Sequence, residues 1–481
     1  MAETYSGVKE SRPNVFNDIG AMSTELESSF RDNCLAHAER TFATGLQCQS
    51  VNSMTALLSM EDAVLVVHSP QGCSGCAVRG GDNFRVGQLY RGVEHVRNPR
   101  VIVTNLDQKS VVFGGEKKLK DAIALAVERY NPKIIFIFTS CASGIIGDDV
   151  DSIVTDLQDE YEALLVPIHC EGFKSKISSS GYDATFISIN KYILKGIRVE
   201  KQPNLINLFA PVSVSQADQI EIERILKNIG LEVNYIPFYG SLEKIKKIPA
   251  AVASTAICKV FADEFMKTLE EEYDIPYSHT IMPLGVHNTD KWLRGIAKIT
   301  GKEKEAEEFI EREHERIAPI LKEFRSHLEG KRVFVTGAGK GRAFAMAALA
   351  EDFGMKLVGM QTPFYDQDSQ DDVEYLNELH GEYMIDVGRL QPFEQVNLLK
   401  RIQPDLFIGY PLWAAKLGIP TCYINENKRP TMGYDSLVYL GNKIVEQLEN
   451  PGFNEKLAAH RRLPFRDSWY SEDPLKFIKR K

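Results

Sequence analysis

The chain has 481 residues, 43% of them hydrophobic and 26% charged, with a formal net charge of −9. That balance excludes nucleic acid as a partner, whose binding needs a basic face, and the length exceeds the roughly 250–300 residues at which a single core stops growing. No apolar run approaches the roughly 18 residues of a membrane span, and MAETYSGVKESRPN at the start lacks the basic and apolar regions of a signal peptide, so a multi-domain cytoplasmic protein is expected, its eight cysteines present as thiols or metal ligands rather than disulfides.

Residues 1–45 read as a polar N-terminal arm, partly helical over 17–44 and expected to pack on a partner subunit. A first α/β unit, 46–200, follows. Its strands are predicted at 63–69, 101–105, 133–140 and 164–170, with helices at 116–130 and 148–162. Near-continuous β-branched runs alternating with amphipathic stretches indicate parallel sheets covered on both faces. The rhythm restarts in a second unit, 201–330, with strands at 205–211, 231–238, 250–255 and 275–285 and a long charged helix over 301–330 as its spine. It restarts again in a third, 331–481, with strands at 331–339, 355–362, 381–388, 405–410 and 419–425. The fold class expected is α/β, three Rossmann-like domains with mostly parallel sheets.

In such sheets, ligands bind beyond the carboxyl ends of the strands, and there most of the cysteines fall. Cys73, Cys141, Cys170 and Cys258 lie at or just past predicted strand ends; Cys48 precedes the first clear strand. Cys48, Cys73 and Cys141 sit on glycine-flanked segments read as tight loops, placed like iron–sulfur ligands. A self-contained cluster usually takes four thiolates, so three suggest one shared with another chain. Cys73 and Cys76 form a C-x-x-C that fits a redox pair, a zinc half-site or a cluster loop; no second C-x-x-C supports a closed zinc site. Cys76 reads as a spectator, and Cys34, Cys170 and Cys422 as buried structural thiols.

The loop GAGKGRA (337–343) meets neither common phosphate-binding template, because Gly341 follows Lys340 where a Walker loop needs Ser or Thr, and Arg342 stands where a dinucleotide fingerprint needs Gly. Gly339, Lys340 and Arg342 are instead expected to form a cationic lip over an anionic cofactor. His68, His169, His279 and His287 show no metal-pair spacing and read as hydrogen-bonded histidines without a catalytic role.

The strings HSPQGCSGC, TNLDQKSVVFGGEKKL, SCASGIIGDDVDSI, HCEGF, AICKVFADEFMKTLEEEYDIP, KRVFVTGAGKGR and NENKRPTMGYDS occur in that order. Together they resemble the α-type subunit of nitrogenase component 1, from about residue 45 to about 450. The resemblance implies metal clusters between the domains and at a subunit interface, a homologous β-type partner in an α2β2 assembly, and an ATP-dependent iron–sulfur reductase. It makes Cys48, Cys73 and Cys141 the α-side ligands of a P-cluster-type centre, and Cys258 the ligand of a second, buried iron–sulfur–carbide cofactor. Two departures bear on activity. Asn425 stands where the family's histidine holds molybdenum, and a carboxamide is a poor soft-metal ligand, so a cofactor without molybdenum is expected. Ser178 and Tyr182 stand where dinitrogen-reducing members have glutamine and histidine. The resemblance is then to a methylthio-alkane reductase, in which Ser178 and Tyr182 would face a small thioether and methanethiol would be released. The alternative is the α subunit of a cofactor-assembly scaffold, which also carries asparagine at that place.

Overall fold

The computed structural model describes residues 9, 19–32, 38–40, 48–211, 214–337, 339–388, 392–410, 412–424, 429–464, 466, 468 and 478–480. Two short strands, β1 (Ile19–Met22) and β2 (Ala38–Arg40), precede three α/β units.

The first unit holds β3 (Ala63–His68), β4 (Val101–Val103), β5 (Ile134–Thr139) and β6 (Leu164–Ile168), all parallel, in the order β4-β3-β5-β6. Its central strands, β3 and β5, are buried at every position because both faces are covered. Leu65, Val67, Phe136 and Phe138 enter one core, while Val64, Val66, Ile135 and Ile137 enter another on the opposite side. The second unit repeats this winding with β7 (Leu205–Ala210), β8 (Glu232–Pro237), β9 (Ala253–Ala256) and β10 (Tyr277–Ser278), in the order β10-β9-β7-β8. The helix Glu303–Leu328 leads into the third unit and carries Pro319 inside it. That unit contains β11 (Arg332–Thr336), β12 (Lys356–Thr362), β13 (Met384–Val387), β14 (Leu406–Ile408) and β15 (Thr421–Cys422), in the order β1-β13-β12-β11-β14-β15. The last strand, β16 (Ile478–Arg480), pairs antiparallel with β2.

One expectation is corrected here and one is filled in. The described part of the arm packs on this chain. β1 adds antiparallel to β13, and Lys9 is buried between two aspartates of the first and second units. The strand expected over 275–285 shrinks to β10, since Pro276 and Pro283 cannot donate to a ladder and Gly285 takes φ +84°.

In each sheet the order reverses beside its first strand, and the crevice opens there at the carboxyl ends. The flanking strands are β3 and β5 in the first unit, β7 and β9 in the second, β11 and β14 in the third. Cys73 and Cys141 follow β3 and β5, Cys258 follows β9, and Gly339–Arg342 follow β11.

Candidate functional site

The structure moves the three candidate cluster cysteines from loops to helix starts, where the helix dipole favours negative charge. Cys48 caps the helix Gln49–Leu57, Cys73 is the third residue of the helix Gln71–Tyr90, and Cys141 opens the helix Cys141–Ile146. Gly172 brings two of them together. A Cβ built there would lie 3.2 Å from the Cys48 sulfur and 3.4 Å from the Cys141 sulfur, so the missing side chain leaves both thiols on one concave spot. Cys73 is exposed. Cys170, two residues before Gly172, is structural: its thiol donates to the Thr139 carbonyl at 3.4 Å, and burial pushes it up to about 12. Cys422 is likewise buried, with its thiol pushed up to about 12. The side chain of Cys76 and all of Cys34 lie outside the described residues.

The second group is built around Cys258, two residues past β9. It packs against Ile177, Val260 and Phe364, one from each unit. Burial raises the thiol above its ordinary range, opposed by the Val260 N–H and the positive charges of Lys340 and Arg342. A Cβ at Gly341 would meet the Cys258 sulfur at 2.9 Å, so glycine permits the third unit's helix to approach it. Arg342 turns a buried Nη1 with no hydrogen-bond partner among the described residues. A buried charged donor left unpaired costs several kcal/mol (order of magnitude), and with the thiol beside it the arrangement fits an anionic inorganic group. Lys340 departs from the expected lip: it is fully buried and its Nζ lies 2.5 Å from Asp366 Oδ1. Gly339 caps the helix Lys340–Asp352 in extended backbone, with nothing within 4 Å of a built Cβ.

Tyr182 lies on the helix Ser180–Ile189, edge-on to Phe261 at 4.7 Å. Burial, with the nearby Cys258 charge, pushes its hydroxyl above the ordinary range, and that hydroxyl takes no hydrogen bond among the described residues. Ser178 is half-buried in the turn before this helix. Asn425 lies outside the described residues.

Sequence reasoning missed what ties these pieces together. Lys9 Nζ donates to Asp183 Oδ1 at 2.9 Å and Asp263 Oδ1 at 2.7 Å, linking the residue after Tyr182 to the helix after Cys258. Asp263, His279 and Asp368 also converge, with ligand-type atoms within 4.8 Å of one another. The four histidines are all hydrogen-bonded: His68 to Asp148 and Thr104, His169 to Asp151, His279 to the Lys259 carbonyl, His287 to Asp352. No helix among the described residues is long and apolar enough to cross a membrane.

Known proteins share this architecture. A relative from Clostridium pasteurianum, "Nitrogenase iron-molybdenum cofactor biosynthesis protein NifE", is 28% identical over 417 residues, covering 84% of this chain and 87% of its own length. The "Nitrogenase molybdenum-iron protein alpha chain" of Methanococcus maripaludis is 26% identical over 411 residues, covering 82% and 84%. A solved structure titled "Nitrogenase Cp1 at pH 5" superposes with TM-score 0.72 at 21% identity, covering 86% of this chain and 92% of that one. The family model described as nitrogenase component 1 type oxidoreductase matches residues 48–449, and this chain belongs to that family.

Proposed function

We propose that this chain is the α-type subunit of a two-cluster complex, and that it acts as an assembly scaffold holding a precursor iron–sulfur–carbide cluster at Cys258. The observation that carries the reading is the seat itself: the half-buried Cys258 thiol meets the bare Gly341 backbone, and the next residue, Arg342, keeps a buried Nη1 without a partner among the described residues while its charge acts on that thiol. The curated relatives named as cofactor biosynthesis proteins favour the scaffold role over turnover. This reverses the order of the two readings that the sequence motifs suggested.

In this reading Cys48, Cys73 and Cys141 hold one side of a P-cluster-type centre, and a β-type partner completes the ligand set in an α2β2 assembly. The exposed Cys73 lies on the helix that also exposes Leu89 and Tyr90, a face suited to that partner. An ATP-dependent iron–sulfur reductase would dock on the apolar strip Val111, Val112, Phe113 and Ile145, which are 60%, 72%, 84% and 75% exposed beside Cys141. The bound clusters supply electron storage and redox chemistry. The chain's own residues do the rest: Cys258 anchors, Arg342 orients an anionic face by donating a hydrogen bond, and Ile177, Val260 and Phe364 exclude water. The complex would reside in the cytoplasm.

A second reading, cleavage of C–S bonds in small thioethers, is favoured by Tyr182. Its hydroxyl stays protonated near Cys258, with half-buried Ser178 in the turn before it, so it can donate a proton or orient a substrate larger than dinitrogen. One experiment separates the two. The anaerobically purified complex is assayed for iron, for release of methanethiol from a thioether with reductase and ATP, and for transfer of its cluster to a cofactor-free enzyme. Transfer without methanethiol supports the scaffold, and methanethiol without transfer supports the reductase. Cys258→Ala should lose the cofactor's share of iron in either case, and full iron in that variant would overturn the seat assignment.

A further inference from the structure

His68 is fully buried and touches both ends of the helix that carries Cys141. At the start of that helix, the Ser140 hydroxyl donates to the His68 carbonyl at 2.8 Å, while Ser140 and Ser143 close a capping box. Past its end, where Gly147 takes φ +82°, Asp148 follows. The His68 ring contacts Asp148 Oδ2 at 2.9 Å; since a carboxylate only accepts, Nε2 carries the proton. Nδ1 is then the acceptor, and the Thr104 hydroxyl, 3.1 Å away, donates to it while taking the Ser69 N–H at 3.1 Å. The other oxygen of Asp148 accepts the Gly115 N–H at 2.8 Å.

Gly115 caps the next helix, Glu116–Tyr130, and lies one residue past Gly114, the C-cap of the short helix Gln108–Phe113 that presents Val111, Val112 and Phe113. Space at this joint is exhausted. A Cβ at Gly115 would lie 2.6 Å from Leu106, 2.7 Å from Asp148 and 2.8 Å from the His68 ring. The exposed helix and the cysteine helix therefore cannot move independently without breaking a buried hydrogen bond. Breaking one costs about 1–3 kcal/mol when a partner is left unsatisfied.

We propose that the Gly115–Asp148–His68 chain is a mechanical link that transmits a partner's docking on the Gln108–Phe113 helix to the position of Cys141, with Asp148 and His68 as positioning residues. The link rests on the docking face assigned above. Because it connects a surface helix to a ligand-bearing one through two buried side chains, a push on Phe113 is delivered to both ends of the Cys141 helix.

Hydrogen exchange by mass spectrometry tests the link in two arms on the intact complex. In the first, without reductase, Asp148→Asn should raise exchange roughly tenfold in 107–115 and in 141–147 together; Thr104→Val, a milder change, should raise both about threefold. An increase confined to one segment in both variants overturns the link. In the second arm, the ATP-dependent reductase is added. Protection of 107–115 in the wild type should come with altered exchange at 141–147, and in Asp148→Asn the first should occur without the second. Wild-type protection at 107–115 with no change at 141–147 overturns the link. If the reductase leaves 107–115 unprotected, the docking assignment falls and the first arm alone decides the link.

Discussion

Gly181→Ala should drive apart two helices that hold the two seats in register. Gly181 lies on the helix Ser180–Ile189, one residue before Tyr182, where it meets the helix Gln49–Leu57 that Cys48 caps. A Cβ there would sit 2.0 Å from the Gln49 carbonyl oxygen and 3.0 Å from the Ser53 nitrogen, against 3.4 Å or more for ordinary contact. The obstacle is backbone, which cannot swing aside, so the helices must part by about 1.4 Å (3.4 less 2.0). The Ser53 hydroxyl, which donates to the Gly181 carbonyl at 2.6 Å, would be pulled off it. Overpacking of this kind costs about 3 kcal/mol; the better helix propensity of alanine returns about 1 kcal/mol. The net loss of about 2 kcal/mol corresponds to roughly 30-fold faster amide exchange in the helix Gln49–Leu57, at about 1.4 kcal/mol per factor of ten. Iron at the shared centre should fall with it, because Cys48 moves. The sign decides the matter. If the helices did not touch, the same substitution would slow exchange as an ordinary helical Gly→Ala does, and that result would refute the reasoning.

Gly341→Ala should act at the other seat: its Cβ, 2.9 Å from the Cys258 sulfur, forces the thiol aside, so cofactor iron should drop while the shared centre keeps its share, as metal analysis with spectroscopy would show. His380 supplies a pH test. Burial lowers its pKa to about 4, so on acidification the unfolded chain binds a proton near pH 6.5 that the folded chain refuses until near pH 4. Stability should therefore fall over that window by up to about 3 kcal/mol. His380→Gln should remove that part of the acid loss in urea titrations, and an unchanged slope would count against it.

Much of the fold was legible because its physical signature is local. The helix Glu116–Tyr130 was readable to the residue from its apolar stripe, and β3 and β5 from runs that only a doubly covered sheet explains. The segment after β3 misled for a reason equally physical. Gly72, Gly75, Gly80 and Gly81 argue against a helix by propensity, yet the chain is helical from Gln71 to Tyr90, with Phe84 buried and Gln88 tied to the Arg97 carbonyl. Strand order leaves no mark on any single stretch, so although the resemblance put Cys48 and Cys141 on one centre, the part Gly172 plays in bringing them together was out of reach. So was the pairing of Lys340 with Asp366, which turns an expected surface cation into a buried one.

Gly341 comes close to the Cys258 sulfur across a boundary between units, and Lys9 ties the first and second units together through Asp183 and Asp263. Side-chain rotation alone cannot open a site whose walls belong to separate units. A large anion held at the proposed Cys258 seat would have to arrive before those units close, or wait for them to part, which would make loading a slow, whole-molecule event rather than a diffusive one.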